Sequence, residues 1–291
     1  MRPQFQWDLG TRKLALGQRT LLMGIVNVTP DSFSDGGLHL DSATAVQHAL
    51  RLLDDGADMV DIGGESTRPG AAPVSAEEEL GRILPVIEAV KRSRPDAVVS
   101  VDTYKASIAQ AAVDAGAEIV NDVSGGTWDA AMLPTLAKLK CGFVLMHMRG
   151  HPAAWRNLPP IGDAVAVVRG ELAQCAQEAL LHVARGRVVL DPGFGFGKSF
   201  EENYPLLAHF ETLHELGFPL LAGTSRKSFI GKTLAHGGGS VPTVVPPKDR
   251  LYGTLATETA LVLRGAHILR THDVRASRDA ARVADAILQS T

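Results

Sequence analysis

The chain has 291 residues, 45% of them hydrophobic, and a formal net charge of -3 at pH 7. That length bounds one large or two smaller domains, and the apolar content is enough for a substantial core. The slightly acidic balance argues against a general nucleic-acid binder, which carries a basic face, while leaving room for small anions held by local arginine and lysine.

The first residues contain no apolar stretch of the kind that opens a secretory signal, and no uninterrupted apolar run has the length of a bilayer span, so no membrane partner is expected. Cys141 and Cys175 have no CxxC spacing and read as free thiols of a reducing compartment, which predicts a cytoplasmic protein.

Residues 5–16 predict a small hairpin around Gly10 that plugs one mouth of the main domain. Residues 1–18 are assigned to this hairpin and 19–291 to the main domain. From residue 19 on, eight short apolar runs each end in a polar or glycine-bearing cluster. The first, Leu22-Met23-Gly24-Ile25-Val26-Asn27-Val28, leads into Thr29-Pro30-Asp31-Ser32-Phe33-Ser34-Asp35-Gly36-Gly37. Later runs end at Asp61, Asp102, Asn121-Asp122, Met146-His147, Asp191-Pro192-Gly193, Gly223-Thr224-Ser225-Arg226-Lys227 and Arg270-Thr271-His272-Asp273.

Helical periodicity lies between these runs. Val46, Leu50 and Leu53 share a face that stops at Gly56. Ser75 and Glu78 have the spacing of a capping box ahead of Leu80, Ile83, Leu84, Ile87 and Val90, with Pro85 expected to kink that helix or remove one backbone bond. Further helices are predicted over 105–115, 129–139, 163–184, 200–213, 250–264 and 275–288. Runs such as Val98-Val99-Ser100-Val101 are β-branched rather than alternating, as in strands covered by helices. Eight strands and eight helices in alternation predict a single-domain α/β fold, the (β/α)8 TIM barrel, in preference to an open doubly wound sheet. The Gly- and Pro-rich stretch 235–248 is expected to be an exposed loop.

In such a barrel the chemistry sits at the strand C-termini. Asp102, Asn121 and Asp191 end separate strands, and ionised carboxylates accept the adjacent N–H groups of an amino-pyrimidinone edge. Any one of them is more simply a helix cap; three from separate strands favour convergence on a ligand. Asn27 and the loop after it offer hard oxygen donors suited to a water-rich Mg²⁺, against the plain alternative of an Asx-rich turn. Arg68, Arg270 and His272 suit a diphosphate, against solvated surface charge. Ser225-Arg226-Lys227 follows the seventh strand, where barrels place phosphate sites, or is simply a helix N-terminus. Gly193-Phe194-Gly195-Phe196-Gly197-Lys198-Ser199 lacks the first glycine of a P-loop because Pro192 stands there. His147 and His151 have the spacing of a helical metal pair, but Gly150 and Pro152 argue for a loop.

With these motifs in view, the chain resembles the dihydropteroate synthase family, and the match runs from about residue 21 to 274. It rests on the loop after Asn27, on Asp61-Ile62-Gly63-Gly64-Glu65-Ser66-Thr67-Arg68-Pro69-Gly70, on Ser100-Val101-Asp102-Thr103, on the Asp191–Lys198 stretch, and on Ser225-Arg226-Lys227-Ser228. The resemblance implies condensation of 6-hydroxymethyl-7,8-dihydropterin diphosphate with 4-aminobenzoate, giving 7,8-dihydropteroate and diphosphate, with Mg²⁺ as cofactor. It implies a homodimer as the assembly, to which the apolar segment 259–263 is expected to contribute unless it is core. It implies that Asn27 ligates Mg²⁺; that Asp102, Asn121, Met146, Asp191 and Lys227 hold the pterin above Asp61; and that Thr67, Arg68, Arg270 and His272 engage the diphosphate. Asp102, Lys227, Arg270 and His272 carry the catalytic roles. Phe33, Pro69, Phe194, Lys227 and Ser228 frame the aminobenzoate, and the loops around residues 29–38 and 64–73 act as lids. Thr271 stands where the family more often has an aliphatic residue. The rivals are a pterin-dependent methyltransferase domain and a catalytically silent pterin-binding relative.

Overall fold

The computed structural model describes residues 2–29, 38–66, 72–235 and 244–290. Two antiparallel strands, β1 (Phe5–Asp8) and β2 (Lys13–Leu16), precede eight parallel ones: β3 (Leu21–Asn27), β4 (Met59–Gly63), β5 (Val98–Asp102), β6 (Ile119–Asp122), β7 (Gly142–Met146), β8 (Val188–Asp191), β9 (Leu221–Ala222) and β10 (Ile268–Thr271). Each of β3 to β8 pairs with its sequence neighbour, β10 pairs with both β3 and β9, and a parallel bridge from Leu190 to Leu220 joins β8 to the strand leading into β9. The ring is therefore closed, and the open doubly wound alternative is excluded. The closing edge is short because Pro219 has no N–H to donate; it contributes only its carbonyl, to the Leu190 N–H at 3.0 Å.

The helices are α1 (Leu38–Asp54), α2 (Ala76–Ser93), α3 (Ala106–Asp114), α4 (Met132–Lys138), α5 (Ala164–Ala179), α6 (Phe200–Ala208), α7 (Ser228–Thr233), α8 (Leu251–Leu263) and α9 (Val274–Gln289). Among the described residues this is one more helix than the sequence suggests. The extra one is α7, a short helix that Lys227 caps directly after the β9 loop. The segment 200–213, read as one helix, is α6 followed by a 3-10 stretch, Phe210–Leu216, that ends on left-handed Gly217. In α2 the helix continues through Pro85. Only half of its predicted capping box forms: Ser75 Oγ accepts from the Glu78 N–H at 3.1 Å, but the Glu78 carboxylate turns to Arg82 four residues on, a helical ion pair. The complete box belongs to Ser199 and Glu202 at the start of α6.

Two apolar clusters divide the interior. Leu22, Val26, Val60, Ile62, Val99, Val101, Val120 and Leu269 point outward against the helices. Leu21, Met23, Met59, Val98, Ile119, Val144, Val189, Leu221 and Ile268 point inward and meet Trp7, Leu9 and Leu16 of the hairpin. The hairpin thus stoppers the N-terminal mouth, with Trp7 Nε1 donating to the Arg187 carbonyl at 2.8 Å. Successive strand residues alternate sides, so the inward series continues past its apolar base into Asn27, Asp61, Ser100, Asp102, Asn121, Met146, Asp191 and Arg270. A dry floor therefore carries a polar upper layer.

Candidate active site

Registration of the strands sets this upper layer. Asp61 lies opposite Ser100, Gly63 opposite Asp102, Asp102 opposite Asn121, and Met146 opposite Asp191. Asp61 is therefore one inward step deeper than Asp102. Gly63 gives Asp102 room, since a Cβ there would approach the Asp102 Cβ to 3.3 Å.

Arg270, reaching in from β10, binds both carboxylates. Its Nε donates to Asp61 Oδ2 at 2.6 Å and its Nη2 to Asp102 Oδ2 at 2.7 Å, while Asn121 Nδ2 donates to Asp61 Oδ2 at 2.8 Å. Burial acts to lower the Arg270 pKa, but the two carboxylates outweigh it and hold the group above its ordinary value. Burial pushes Asp102 up to about 7 against the opposing pull of Arg270, with Asp61 adding to the rise. Asp61 is completely buried, and its Oδ1 has no hydrogen-bond partner among the described residues. The Ser100 hydroxyl beside it is likewise without a partner. Buried polar atoms are costly to leave unpaired, and such orphans mark where a polar ligand edge fits.

Asp191, also buried, accepts the Gly193 N–H on Oδ1 at 2.7 Å. Its pKa rises to about 6 through burial, moderated first by that backbone bond and then by Lys227 and Lys198. Gly193 has φ +65°, and a Cβ there would meet the His147 carbonyl oxygen at 2.0 Å, so only glycine allows this turn. The loop then brings Phe196 beneath Lys227, whose Nζ lies 3.9 Å from the ring centroid. Phe194 faces the other way. It is 1% exposed and stacks among Phe210 and Phe229 in the outer core. Phe194, expected to frame an arylamine, is thus packed into the outer core, whereas Phe196 lies on the Lys227 side of the loop.

The remaining motifs also resolve. Lys198 turns inward, donating to the Gly193 and Phe196 carbonyls and to His147 Nδ1 at 2.8 Å, so it holds its own loop rather than a phosphate. That bond leaves His147 Nε2 to donate to Glu171 at 2.7 Å, whereas His151 stacks on Trp128; the two histidines serve different partners. Ser225 and His272 meet at 2.9 Å, and Arg226, left-handed at φ +57°, is anchored by a bidentate pair with Asp273. Ser228 is exposed at the first turn of α7, next to Lys227. Asn27 is half-buried at the inward end of β3, and Met146 is buried at the end of β7. Asp122 faces outward and accepts from the Ser124 and Gly126 N–H groups, a turn-forming role, while Asp102 and Asp191 cap no helix. Phe33, Thr67, Arg68 and Pro69, with most of the predicted lid 29–38 and half of the predicted lid 64–73, lie outside the described residues.

Known proteins match this chain along nearly its whole length. The model of the pterin-binding enzyme family aligns with residues 23–272. The dihydropteroate synthase of Synechocystis sp. is 44% identical over 272 residues, 93% of this chain and 91% of that protein. The chain belongs to the dihydropteroate synthase family. Among solved structures, the Xanthomonas albilineans dihydropteroate synthase with 4-aminobenzoic acid superposes with a TM-score of 0.89 at 44% identity, covering 99% of this chain and all of that one. The same organism's enzyme in complex with 7,8-dihydropteroate gives 0.85 at 41% identity, covering 98% and 99%. Members of the dihydropteroate synthase family are transferases of folate synthesis, and this chain is therefore a transferase.

Proposed function

We infer that the chain condenses 6-hydroxymethyl-7,8-dihydropterin diphosphate with 4-aminobenzoate, giving 7,8-dihydropteroate and diphosphate for folate biosynthesis. The observation that carries this reading is the buried set of Asp61, Asp102, Asn121, Asp191 and Arg270 above an apolar floor, in a chain 44% identical to a dihydropteroate synthase over nearly its whole length. Ligands named for the Xanthomonas albilineans structures, 4-aminobenzoic acid and 7,8-dihydropteroate, support the substrate class.

In this reading Asp102 and Asp191 accept N–H groups of the pterin edge, Asn121 and the Asp61 Oδ1 orphan complete the polar contacts, Met146 packs against the heterocycle, and Lys227 bridges the pterin and aminobenzoate positions. The C–O bond between the pterin methylene and the diphosphate breaks, and the electron pair leaves with the diphosphate. The weakly basic arylamine then forms the new C–N bond and gives up a proton. The protein's task is to place the two reactants and to meet charge as it develops on the leaving group. Arg270 and His272 face that charge from β10 and the loop after it, with Thr67 and Arg68 assigned beside them. The Lys227–Phe196 contact covers the arylamine side together with exposed Ser228, and Phe33 and Pro69 are assigned to complete it.

Mg²⁺ fits the Asn27 end of β3. Its carboxamide, at an inward strand position, offers a hard oxygen donor. One protein oxygen with water and diphosphate oxygens is a coordination set that Mg²⁺ favours. When bound, the ion neutralises diphosphate charge.

The proposal extends to a cytoplasmic homodimer. No described helix is long and apolar enough to cross a membrane. Within the apolar segment 259–263, Leu261 and Val262 are fully buried in the core and unavailable to an interface. Leu263, at the end of that segment, is exposed, and together with Tyr252 on α8 and Val283 and Ile287 on α9 it gives the apolar surface that supports a dimer.

The test is incubation of purified protein with the pterin diphosphate, radiolabelled 4-aminobenzoate and Mg²⁺. Labelled dihydropteroate supports the reading, and pterin binding without product favours a silent relative.

A further inference from the structure

The loop after β8 carries Phe196 between two glycines, Gly195 and Gly197, left-handed at φ +79° and +64°. Glycine gives a backbone its widest choice of conformations, and neither neighbour offers a side chain that could fix Phe196. The ring nevertheless lies under Lys227, with Nζ 3.9 Å from its centroid and the Trp155 indole edge-on at 5.6 Å. What holds it there has to act on the backbone.

One ammonium group does so. The turn closes through the Phe196 N–H, which donates to the Gly193 carbonyl at 3.1 Å. Lys198 Nζ donates to the carbonyls at both ends of this turn, Gly193 at 2.8 Å and Phe196 at 3.2 Å, and to His147 Nδ1 at 2.8 Å. Three acceptors meet the three hydrogens of an ammonium, and a charge as buried as Lys198, 8% exposed, persists where its donors are met in this way. Burial pulls its pKa down to about 7; Asp191 and Glu171 oppose the fall, while Lys227 and Arg149 add to it.

His147 extends the clamp. Burial and the neighbouring ammonium hold its pKa far below the ordinary value, so the imidazole is neutral. With Nδ1 accepting from Lys198, its Nε2 N–H goes to Glu171 on α5 at 2.7 Å. The loop is thereby tied to the residue that follows β7 and, through it, to a helix. Two further side chains reach the glycines of the loop: Asn203 Oδ1 accepts the Gly195 N–H at 2.7 Å, and Arg149 Nη1 donates to the Gly197 carbonyl at 3.3 Å. Lys198 bonds Phe196 itself.

We propose that Lys198 is a positioning residue for 4-aminobenzoate: by joining the Gly193 and Phe196 carbonyls to His147, it fixes the Phe196 ring beneath Lys227 on the arylamine side of the mouth. The part concerning the arylamine rests on the proposed function; the placement of Phe196 does not.

The experiment begins with the ligand-free full-length protein, its lysines labelled with ¹⁵N and with ¹³C at the ε carbon, studied by NMR at pH 6. Lys198→Met and Lys227→Arg assign the two resonances. In the wild type the Lys198 ammonium exchanges slowly with water, and the ring current of Phe196 shifts the Lys227 ε-methylene protons upfield. Phe196→Ala removes that shift, and Lys198→Met moves it toward the Phe196→Ala value; thermal melts confirm that each variant is folded. A Lys198 ammonium that exchanges as freely as those of surface lysines overturns the proposal without any variant, as does an unmoved Lys227 resonance in folded Lys198→Met.

Steady-state kinetics then test the consequence. Lys198→Met raises KM for 4-aminobenzoate about tenfold, as Phe196→Ala does, with a much smaller change in KM for the pterin diphosphate. The double variant is no worse than Phe196→Ala, because a residue that acts through another has nothing left to act on once that one is gone. Additive losses, or an equal rise in both KM values, overturn the proposal. A displaced ring with unaltered KM for 4-aminobenzoate in both variants supports the placement of Phe196 by Lys198 and overturns the assignment of Phe196 to the arylamine.

Discussion

Replacing Asp102 with Asn tests the pterin-recognition set where geometry and titration make a joint prediction. In the wild type, Asp102 Oδ2 accepts from Arg270 at 2.7 Å, and its charge strengthens the acceptor pair offered to the pterin. Asparagine keeps one acceptor and places a donor against the ligand's own N–H, a loss of roughly 1.5–3 kcal/mol, or about 10- to 150-fold in affinity. Arg270 retains Asp61 at 2.6 Å, so its charge is not abandoned and the variant folds. Because burial raises Asp102 to about 7, the carboxylate is ionised at pH 8 and largely protonated at pH 6. The affinity gap between wild type and variant is therefore wide at pH 8 and narrows toward pH 6. Stability moves accordingly. A raised carboxyl pKa gives a contribution that is fully present below the unfolded value near 3.9 and is lost as pH rises through about 7. The wild type thus loses stability relative to Asp102→Asn as pH rises from about 4 to about 7. Calorimetry with a pterin analogue at both pH values, paired with thermal melts, measures both effects. Equal affinity at pH 8 in a folded variant refutes the assignment.

Three other outcomes are expected. Phe196→Ala raises KM for 4-aminobenzoate by roughly tenfold, the loss of an aromatic face and a cation–π contact, with little change in melting temperature, whereas Phe194→Ala destabilises by about 3–5 kcal/mol; the reverse pattern in paired kinetics and melts returns the arylamine role to Phe194. Diphosphate and Mg²⁺ strengthen 4-aminobenzoate binding, with sulfonamides competing for the same state, and equal calorimetric affinity with and without them contradicts the ordered scheme. Light scattering reports a dimer, and Tyr252→Glu shifts it toward monomer at micromolar concentration; a monomeric wild type rejects the α8–α9 interface.

Much of the barrel was legible because its signals are local. Apolar runs closed by polar residues mark strand ends, and the helical period between them is regular, so the positions of Asp61, Asp102, Asn121, Asp191 and Arg270 followed from counting. What was not legible depends on contacts between distant segments. Phe194 and Phe196 have equal claims in sequence; only the left-handed glycines on either side, and the Phe210 and Phe229 packing that receives Phe194, send one into the core and the other under Lys227. Helix α7 is too short for a periodic signal. The choice of Glu78 between Ser75 and Arg82 is a competition that spacing alone leaves open. Ser100 was visible only as part of a motif, since its orphaned hydroxyl is a property of what surrounds it. Likewise, Pro192 already excludes a P-loop from the glycine-rich stretch before Lys198, but the three inward bonds that Lys198 makes instead depend on the fold.

The central claim is that this mouth joins an arylamine to a pterin as diphosphate departs, and the most direct measurement is a single-turnover balance. Purified protein in excess over the pterin diphosphate, with 4-aminobenzoate and Mg²⁺, is quenched over time, and diphosphate and dihydropteroate are quantified from the same samples. The account predicts equal amounts of the two at completion, with no accumulation of 6-hydroxymethyl-dihydropterin. Diphosphate released without dihydropteroate identifies a hydrolase, and neither product from a folded, pterin-binding protein identifies a silent relative; either result contradicts the account.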